Sequence, residues 1–499
     1  MQDDATRCMD RSLQVSSLGS IFRGAGFFAA GKVLYNVLRF LFNFVLTRGL
    51  GVELYGIYAF ANTVVGAAIT VTTLGSDKAV LRYLPALETD VERRGILVFA
   101  LALSLFGSFT AATLLWVFAP LLTQYTLEDP ALVPTIRILA GLLVARALLK
   151  VLSSAFRALD LPEYDVLVQQ IARPLVGLLA VAVAFQFGYQ LVGAVTAIAI
   201  SSLLVLVIGL AFLGKKTDIH VFGRVPRGDI VEYTRFSLPL TVKDAGSFLY
   251  TRADVLMVGY FLTSSAVGIY NVSVLLATVV VLPLSALNRI FPSVASRLHE
   301  AGQRTELESI YATVTRWGLT ASLPIAVFGI VLGSEVLAVF GSGFSTGELV
   351  LAFFLLGQLL NAAVGPSGYL LLMTDHQYLV SLNQTTFGVL NLILNYFFIV
   401  EFGMVGAAAA TAAILGTLNV VRLVEVWHYE RMVPYSRRFV KPLVAIAVAG
   451  GVVIGCRQFL DGLALVVGGG ALGGVVYLGL LVTMGVEPDD VDFAREYLG

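Results

Sequence analysis

Long apolar runs, separated by Gly, Pro or charged residues, follow one another along the whole chain. Most are apolar on every side, which is typical of helices that lie in lipid. Each is long enough to cross a bilayer, which takes about 20 residues. The runs are centred near Leu34, Val64, Phe106, Leu142, Gly177, Leu203, Leu249, Val279, Phe328, Leu355, Leu390, Ala413, Val448 and Val475. The pattern predicts an all-α integral membrane protein with about fourteen transmembrane helices.

Short motifs indicate an internal repeat. Gly56-Ile57-Tyr58 recurs as Gly268-Ile269-Tyr270, and Val192-Gly193-Ala194 recurs as Val405-Gly406-Ala407. Each copy then spans six helices, an even number, so both copies have the same orientation in the membrane. We expect two parallel six-helix repeats with any shared site near the midplane. The predicted parts are an N-terminal bundle (1–214), a cytoplasmic linker (215–235), a C-terminal bundle (236–430) and extra helices 13 and 14 with a cytoplasmic tail (431–499).

Composition and charge agree with a membrane protein and give it an orientation. Hydrophobic residues make up 58% of the chain and charged residues 13%, against about 25% charged residues in soluble proteins. With the N-terminus inside, the predicted inner segments hold 24 of the 33 Lys and Arg residues, the outer loops 2 and the helices 7. Basic residues favour the cytoplasmic side, so both termini are expected there, in a protein of the cell (cytoplasmic) membrane.

Several function classes find no support in the sequence. Two cysteines allow no disulfide framework, and four scattered histidines have no metal-ligand spacing. A Gly-rich phosphate loop with lysine is absent, and the net charge is zero. We therefore expect no cofactor, no metal site and no nucleic-acid partner.

Helix one carries a polar stripe. Lys32, Asn36, Arg39 and Asn43 are spaced i, i+4, i+7 and i+11, so they lie on one helical face. The lysine and arginine could simply reach towards an interface. Arg39, however, falls near the middle of the span, where ionisable groups usually face a cavity. The stripe is therefore predicted to line a binding cavity.

Helix seven carries the second charged group, Lys243, Asp244, Arg252 and Asp254. Arg252 follows Arg39 by 213 residues, close to the offset of the repeat. Lys243 and Asp244 are either cavity residues or an ion pair at the end of the helix. Arg252 and Asp254 are the stronger candidates for substrate binding.

Two further polar positions are candidate cavity residues. Arg173 follows two glutamines just before Pro174, and Asn391 shares a face of helix eleven with Gln384 and Asn395. The alternative is that these amides hold helices together.

The order of several motifs resembles the polysaccharide/oligosaccharide flippase family of the MOP (MATE-like) superfamily. The motifs are Gly49-Leu50-Gly51 with Tyr55-Gly56-Ile57-Tyr58, Asp77-Lys78-Ala79-Val80 with Arg82-Tyr83, Phe236-Ser237-Leu238-Pro239, Arg252-Ala253-Asp254 with Val267-Gly268-Ile269-Tyr270, and Phe291-Pro292-Ser293. The resemblance implies a V-shaped, MATE-like pair of six-helix bundles around a central cavity. It also implies translocation of undecaprenyl- or dolichol-linked saccharides, with basic cavity residues carried over to Arg39 and Arg252.

The sequence therefore predicts a transporter, not an enzyme: a flippase for a polyprenyl phosphate-linked saccharide, working by alternating access. Arg39 and Arg252, helped by Lys32, are predicted to receive the phosphate, because a guanidinium binds phosphate bidentately and keeps its charge when buried. Membrane lipid, glycosyltransferases of the same pathway and a coupling ion, Na⁺ or H⁺, are the further expected partners. The alternatives are a cation-coupled, MATE-type exporter, which Asp254 keeps open, and a membrane-embedded polysaccharide polymerase or ligase.

Overall fold

The computed structural model describes the backbone of residues 2–216 and 227–485 and the side chains of residues 31–215, 230–248 and 251–485. Every regular element in these ranges is helical, so the predicted all-α class is confirmed. The chain divides into two compact units, Met1–Arg252 and Ala253–Gly499. Part of the predicted linker, residues 217–226, lies outside the described residues. The division into bundles predicted from the repeat therefore stays a prediction.

The first unit contains seven helices and most of an eighth. They are α1 (Gln2–Thr72), α2 (Ser76–Tyr83), α3 (Asp90–Gln124), α4 (Leu132–Ala158), α5 (Pro162–Asp165), α6 (Arg173–Gln186), α7 (Leu191–Lys216) and α8 (Arg227–Phe261). A π-helical segment, Val166–Ala172, joins α5 to α6. Helix α8 crosses the boundary at Arg252, so its last residues belong to the second unit.

The second unit contains the remaining helices. They are α9 (Ser264–Ala277), α10 (Leu282–Leu287), α11 (Phe291–Glu300), α12 (Arg304–Val331), α13 (Gly333–Ala338), α14 (Glu348–Val364), α15 (Ser367–Met373), α16 (Gln377–Glu425), α17 (Val440–Cys456), α18 (Gly462–Ala464) and α19 (Gly470–Thr483). Helices α17 and α19, the predicted extra pair, pack against α12, where the Tyr477 hydroxyl donates to the Thr320 carbonyl at 2.8 Å.

Ten helical segments of the described residues are long and apolar enough to cross a membrane. Two of them, Gly31–Ala86 with 56 residues and Gln377–Glu430 with 54, are more than twice the length that one crossing needs. Each is broken by a glycine with positive φ, Gly51 at 72° and Gly403 at 60°, a conformation that L side chains rarely adopt. Neither α8 nor α9 is among the ten. The predicted count of fourteen therefore stays a prediction.

The core of the first unit positions the candidate site. Buried apolar side chains from α2, α3, α4, α7 and α8 form one cluster, in which Phe156, Val205 and Tyr233 are almost fully buried. This cluster places α4 beside α2, α3 and α7, and the start of α8 against α2 and α3. It thereby sets the positions of the polar side chains on α4 and α8.

Candidate functional site

Three arginines converge on one tyrosine in the first unit. The hydroxyl of Tyr58, a residue only 6% exposed, lies within electrostatic range of the guanidinium groups of Arg146, Arg173 and Arg39. Arg39 comes from α1 before its break at Gly51, Arg146 from α4 and Arg173 from the start of α6. We call these three residues the arginine cluster.

Hydrogen bonds hold two members of the cluster in place. Arg146 Nη1 donates to Asn62 Oδ1 at 3.1 Å, and Asn62 lies one helical turn after Tyr58. Arg173 Nη1 donates to Gln169 Oε1 at 3.3 Å, and Gln169 Nε2 donates to the carbonyl of Leu149 on α4 at 2.7 Å. Gln169 therefore links Arg173 to the backbone of α4 at Leu149, about one turn after Arg146.

The local backbone explains where Arg173 lies. Pro174 has no N–H to donate to the carbonyl four residues earlier, and the segment before it, Val166–Ala172, is π-helical. Such wider turns are frequent at functional sites. The Gln170 side-chain oxygen in this segment is buried and has no hydrogen-bond partner among the described residues. Gly31 of α1 packs closely against it, since an ideal Cβ there would be 2.9 Å from that oxygen.

The charges of the arginine cluster are not balanced locally. Among the described side chains, no carboxylate forms an ion pair with Arg39, Arg146 or Arg173. Arg146 Nε is buried and has no hydrogen-bond partner in the same set of residues. Uncompensated cations among apolar helices are costly, because charge is poorly solvated there. The arrangement is suited to binding an anion, to which guanidinium groups donate paired hydrogen bonds.

The predicted stripe of helix one is divided between different roles. Arg39 belongs to the arginine cluster, while Lys32 is exposed and lies 4.8 Å from the centre of the Tyr35 ring. Asn36 is half-buried. Asn43 accepts from the buried Tyr55 hydroxyl at 2.9 Å and donates to the Arg39 carbonyl at 2.8 Å. Since Tyr55 follows the break at Gly51, Asn43 joins the two parts of α1.

The charged residues Lys243 and Asp244 of helix seven lie in the middle of α8 and have different surroundings. Asp244 forms ion pairs with Lys78 and with Lys150, the latter at 3.9 Å, and Lys243 is exposed. Asp244 is thus bound to lysines of α2 and α4 within the first unit.

The candidate residues Arg252 and Asp254 of α8 and Asn391 of α16 interact with residues of their own helix or of a neighbouring helix. Asp254 Oδ2 accepts from the Tyr270 hydroxyl at 2.8 Å, and its Oδ1 accepts from the Val255 N–H at 2.8 Å. Asn391 Oδ1 accepts from Asn395 Nδ2 at 2.8 Å. Arg252, the last residue of the first unit, is half-buried and interacts with other described residues. Ligand binding by these residues stays a prediction.

Arg146, Tyr58 and Asn62 were not predicted as site residues. Arg146 is one of three arginines on α4, and the sequence does not distinguish it from Arg137. Arg137 and Arg146 are nine positions apart, which is half a turn beyond two full turns, so they lie on opposite faces of α4. The Arg137 guanidinium lies 4.4 Å from the centre of the Trp116 ring. The available signal was the repeated Gly-Ile-Tyr motif, which contains Tyr58.

Comparison with known proteins identifies the class. A family model described as polysaccharide biosynthesis protein matches residues 21–298, more than half of the chain. The chain belongs to this family, which confirms the resemblance found in the sequence. It is 31% identical over 186 residues to the probable low-salt glycan biosynthesis flippase Agl15 of Haloferax volcanii, and 26% identical over 182 residues to the probable flippase AglR of the same organism. These alignments cover 37% and 35% of this chain, and 38% and 37% of the relatives' own lengths.

Solved structures show the same fold. Lipid II flippase MurJ in an inward closed conformation superimposes with a TM-score of 0.72 at 13% identity, over 95% of this chain and 99% of that chain. An inward-facing multidrug resistance transporter of the MATE family superimposes with a TM-score of 0.66 at 14% identity, over 80% and 94%. The predicted MATE-like fold is therefore confirmed, and the chain is a multi-pass membrane protein.

Proposed function

We propose that this protein translocates a polyprenyl phosphate-linked saccharide, with dolichol or undecaprenol as the carrier, across the cytoplasmic membrane. The observation that carries the proposal is the arginine cluster, three cations without a carboxylate partner among the described side chains, in a member of the polysaccharide biosynthesis family. The relatives named as probable flippases support the same activity. The product would serve the assembly of cell-surface glycans or glycoproteins.

The chemistry of the step follows from charge. A lipid-linked saccharide that moves its headgroup through a bilayer must exchange the hydration of its phosphate for fixed donors. The arginine cluster supplies them, and Arg146 Nε has no competing partner among the described residues. We assign Lys32, Asn36 and Arg252 supporting contacts to the headgroup, and we keep Asp254 as a candidate substrate-binding residue. The polyprenyl chain remains in lipid during alternating access.

A cation-coupled exporter of small molecules is the alternative. Such a protein favours acidic groups in its cavity, and the fold likeness to the MATE transporter does not separate the two functions. Asp254 is the acidic residue that favours the exporter. Its carboxylate already accepts two hydrogen bonds, from Tyr270 and from its own helix, so the flippase is the better supported function.

The test is a flipping assay in vesicles. Purified protein is reconstituted with a labelled polyprenyl phosphate-linked saccharide, and the translocated fraction is measured by its accessibility to a membrane-impermeant reagent. The Arg39→Gln, Arg252→Gln double variant is expected to lose flipping while inserting normally. Arg137→Gln is the matched control, since that arginine stacks on Trp116. Flipping by the double variant at the parent rate would disprove the assignment.

The orientation is a separate proposal, with both termini cytoplasmic. In a background without Cys8 and Cys456, single cysteines in the 218–230 segment should resist an impermeant thiol reagent added outside intact cells. A cysteine at Gln458, in the predicted outer loop after helix thirteen, is the control and should react. The reverse labelling pattern would invert the topology.

Partners of the pathway remain part of the proposal. Glycosyltransferases that build the saccharide must act on the side where the lipid-linked glycan is loaded. Na⁺ or H⁺ is the proposed coupling ion, and the flipping assay tests it when either gradient is removed.

A further inference from the structure

Four charged side chains join the middle of α8 to α2 and α4 within the first unit. Asp244 of α8 pairs with Lys78 of α2, and Lys150 of α4 lies 3.9 Å from Asp244 Oδ2 and 3.2 Å from Asp77 Oδ2. The Thr73 hydroxyl donates to the other oxygen of Asp77 at 2.9 Å. We call Asp77, Lys78, Lys150 and Asp244 the charged latch. Its two positive and two negative charges balance, in contrast to those of the arginine cluster.

The backbone just before α2 also lies very close to the backbone of α8 beside the charged latch. Gly75, with φ of 73°, lies so near α8 that an ideal Cβ would be 2.1 Å from the carbonyl oxygen of Ser237. The Tyr233 hydroxyl donates to the Ser76 carbonyl at 3.2 Å, and the Tyr233 ring packs edge-on against Phe99 at 5.4 Å between centroids. These contacts define one docking position for the start of α8.

Helix α8 is shared by the two units. It runs without interruption from Arg227 to Phe261, and its residues from Ala253 onwards belong to the second unit. If the units move relative to each other during alternating access, this helix must either bend or leave its docking position. Pro239 lies inside it, two residues after the closely packed Ser237.

The partial exposure of the latch lysines favours ion pairs that can separate during the transport cycle. The side chains of Lys78 and Lys150 are 36% and 35% exposed, so water can solvate both when the pairs separate. Partly exposed ion pairs are weak, yet they set one register because each charge has a defined partner. An apolar contact of the same size would cost more to open, since its surface would meet water.

We propose that the charged latch reversibly fastens the middle of α8 to α2 and α4, closed in one state of the transport cycle and open in another. The latch lies on segments predicted to face the cytoplasm. This inference rests on the alternating access of the proposed function, but not on the identity of the substrate.

The experiment measures the docking distance directly. Spin labels are placed at Leu81 of α2 and Val242 of α8, exposed positions beside the latch that leave its charges intact. Electron–electron distance measurements in lipid nanodiscs are expected to show two populations, separated by a shift on the order of 5 Å or more. A pair on Leu81 and Glu163, which does not involve α8, is the control and should show one population.

Charge variants make the test decisive. Lys150→Glu leaves three negative charges against one positive, so the long-distance population should increase, and the milder Lys150→Gln should act in the same direction. Lys150→Arg should keep the parent distribution. A single short distance in the parent and in every variant would overturn the latch. A latch that opens in a protein unable to flip any polyprenyl phosphate-linked saccharide would contradict the proposed function and leave the latch standing.

Discussion

Replacing Arg146 by Gln should weaken anion binding strongly without unfolding the first unit. One of its five N–H donors is committed to Asn62 at 3.1 Å, whereas Nε is buried and has no partner among the described residues, so Nε is one of the donors left for a ligand. A hydrogen bond to a charged group contributes about 1.5–3 kcal/mol. Since about 1.4 kcal/mol corresponds to a tenfold change in affinity, binding should weaken about 10- to 150-fold. Arg146→Lys should recover only part of this loss, because an ammonium lacks the planar fork.

The assay is equilibrium binding of a labelled polyprenyl phosphate-linked saccharide to the purified protein, followed by flipping in vesicles. Arg137→Gln, nine residues earlier on the opposite face of α4, is the matched control and should bind within about twofold of the parent, because its guanidinium stacks on Trp116. Equal effects of the two substitutions would refute the reasoning, since a general loss of positive charge would then explain both. Unchanged binding by Arg146→Gln would remove Arg146 from the site.

Two further substitutions test the packing that holds the predicted residues. Tyr270→Phe removes the 2.8 Å hydrogen bond to the carboxylate of Asp254 and should lower the free energy of unfolding by about 1.5–3 kcal/mol. Tyr55→Phe should cost only about 1 kcal/mol, because the Tyr55 hydroxyl donates to the neutral amide of Asn43. Apparent melting temperatures in detergent test this order, and a larger effect at Tyr55 would contradict it. Gly406→Ala should destabilise the protein by about 1–3 kcal/mol or more, because an alanine Cβ would lie 1.9 Å from the backbone carbonyl oxygen of Phe398. Gly451→Ala is the control and should change the melting temperature little, because a Cβ at Gly451 would meet no other atom within 4 Å. Equal shifts for the two substitutions would argue against crowding at Gly406.

Two residues of the arginine cluster could be singled out from the sequence because their signal is local. Arg39 was found as an arginine inside an apolar span, next to asparagines at helical spacing, and Arg173 was found beside two glutamines before a proline. Both belong to the arginine cluster. Asn43 shows the limit of the same reasoning. Its spacing places it on the face of Arg39, but its side chain is occupied by Tyr55, which meets it because the helix breaks at Gly51.

The roles of the other charges depended on partners far away in the chain. Asp244 could be either a cavity residue or half of an end pair with its neighbour, and it instead binds Lys78, 166 residues earlier. Arg146 and Arg137 look alike in the sequence, and only the neighbours of the two faces of α4 separate them. Arg146 meets Asn62, and Arg137 meets Trp116.

The sequence by itself determined the helical class, the apolar segments and the family. These follow from local properties: the length of an apolar run and the order of short motifs. Tertiary structure alone decided which charges are compensated. It placed two lysines against Asp77 and Asp244, and it brought three arginines around Tyr58 with no carboxylate partner among the described side chains. Compensation depends on which helical faces meet across long separations in the chain, and the periodicity of one helix carries no information about its neighbour.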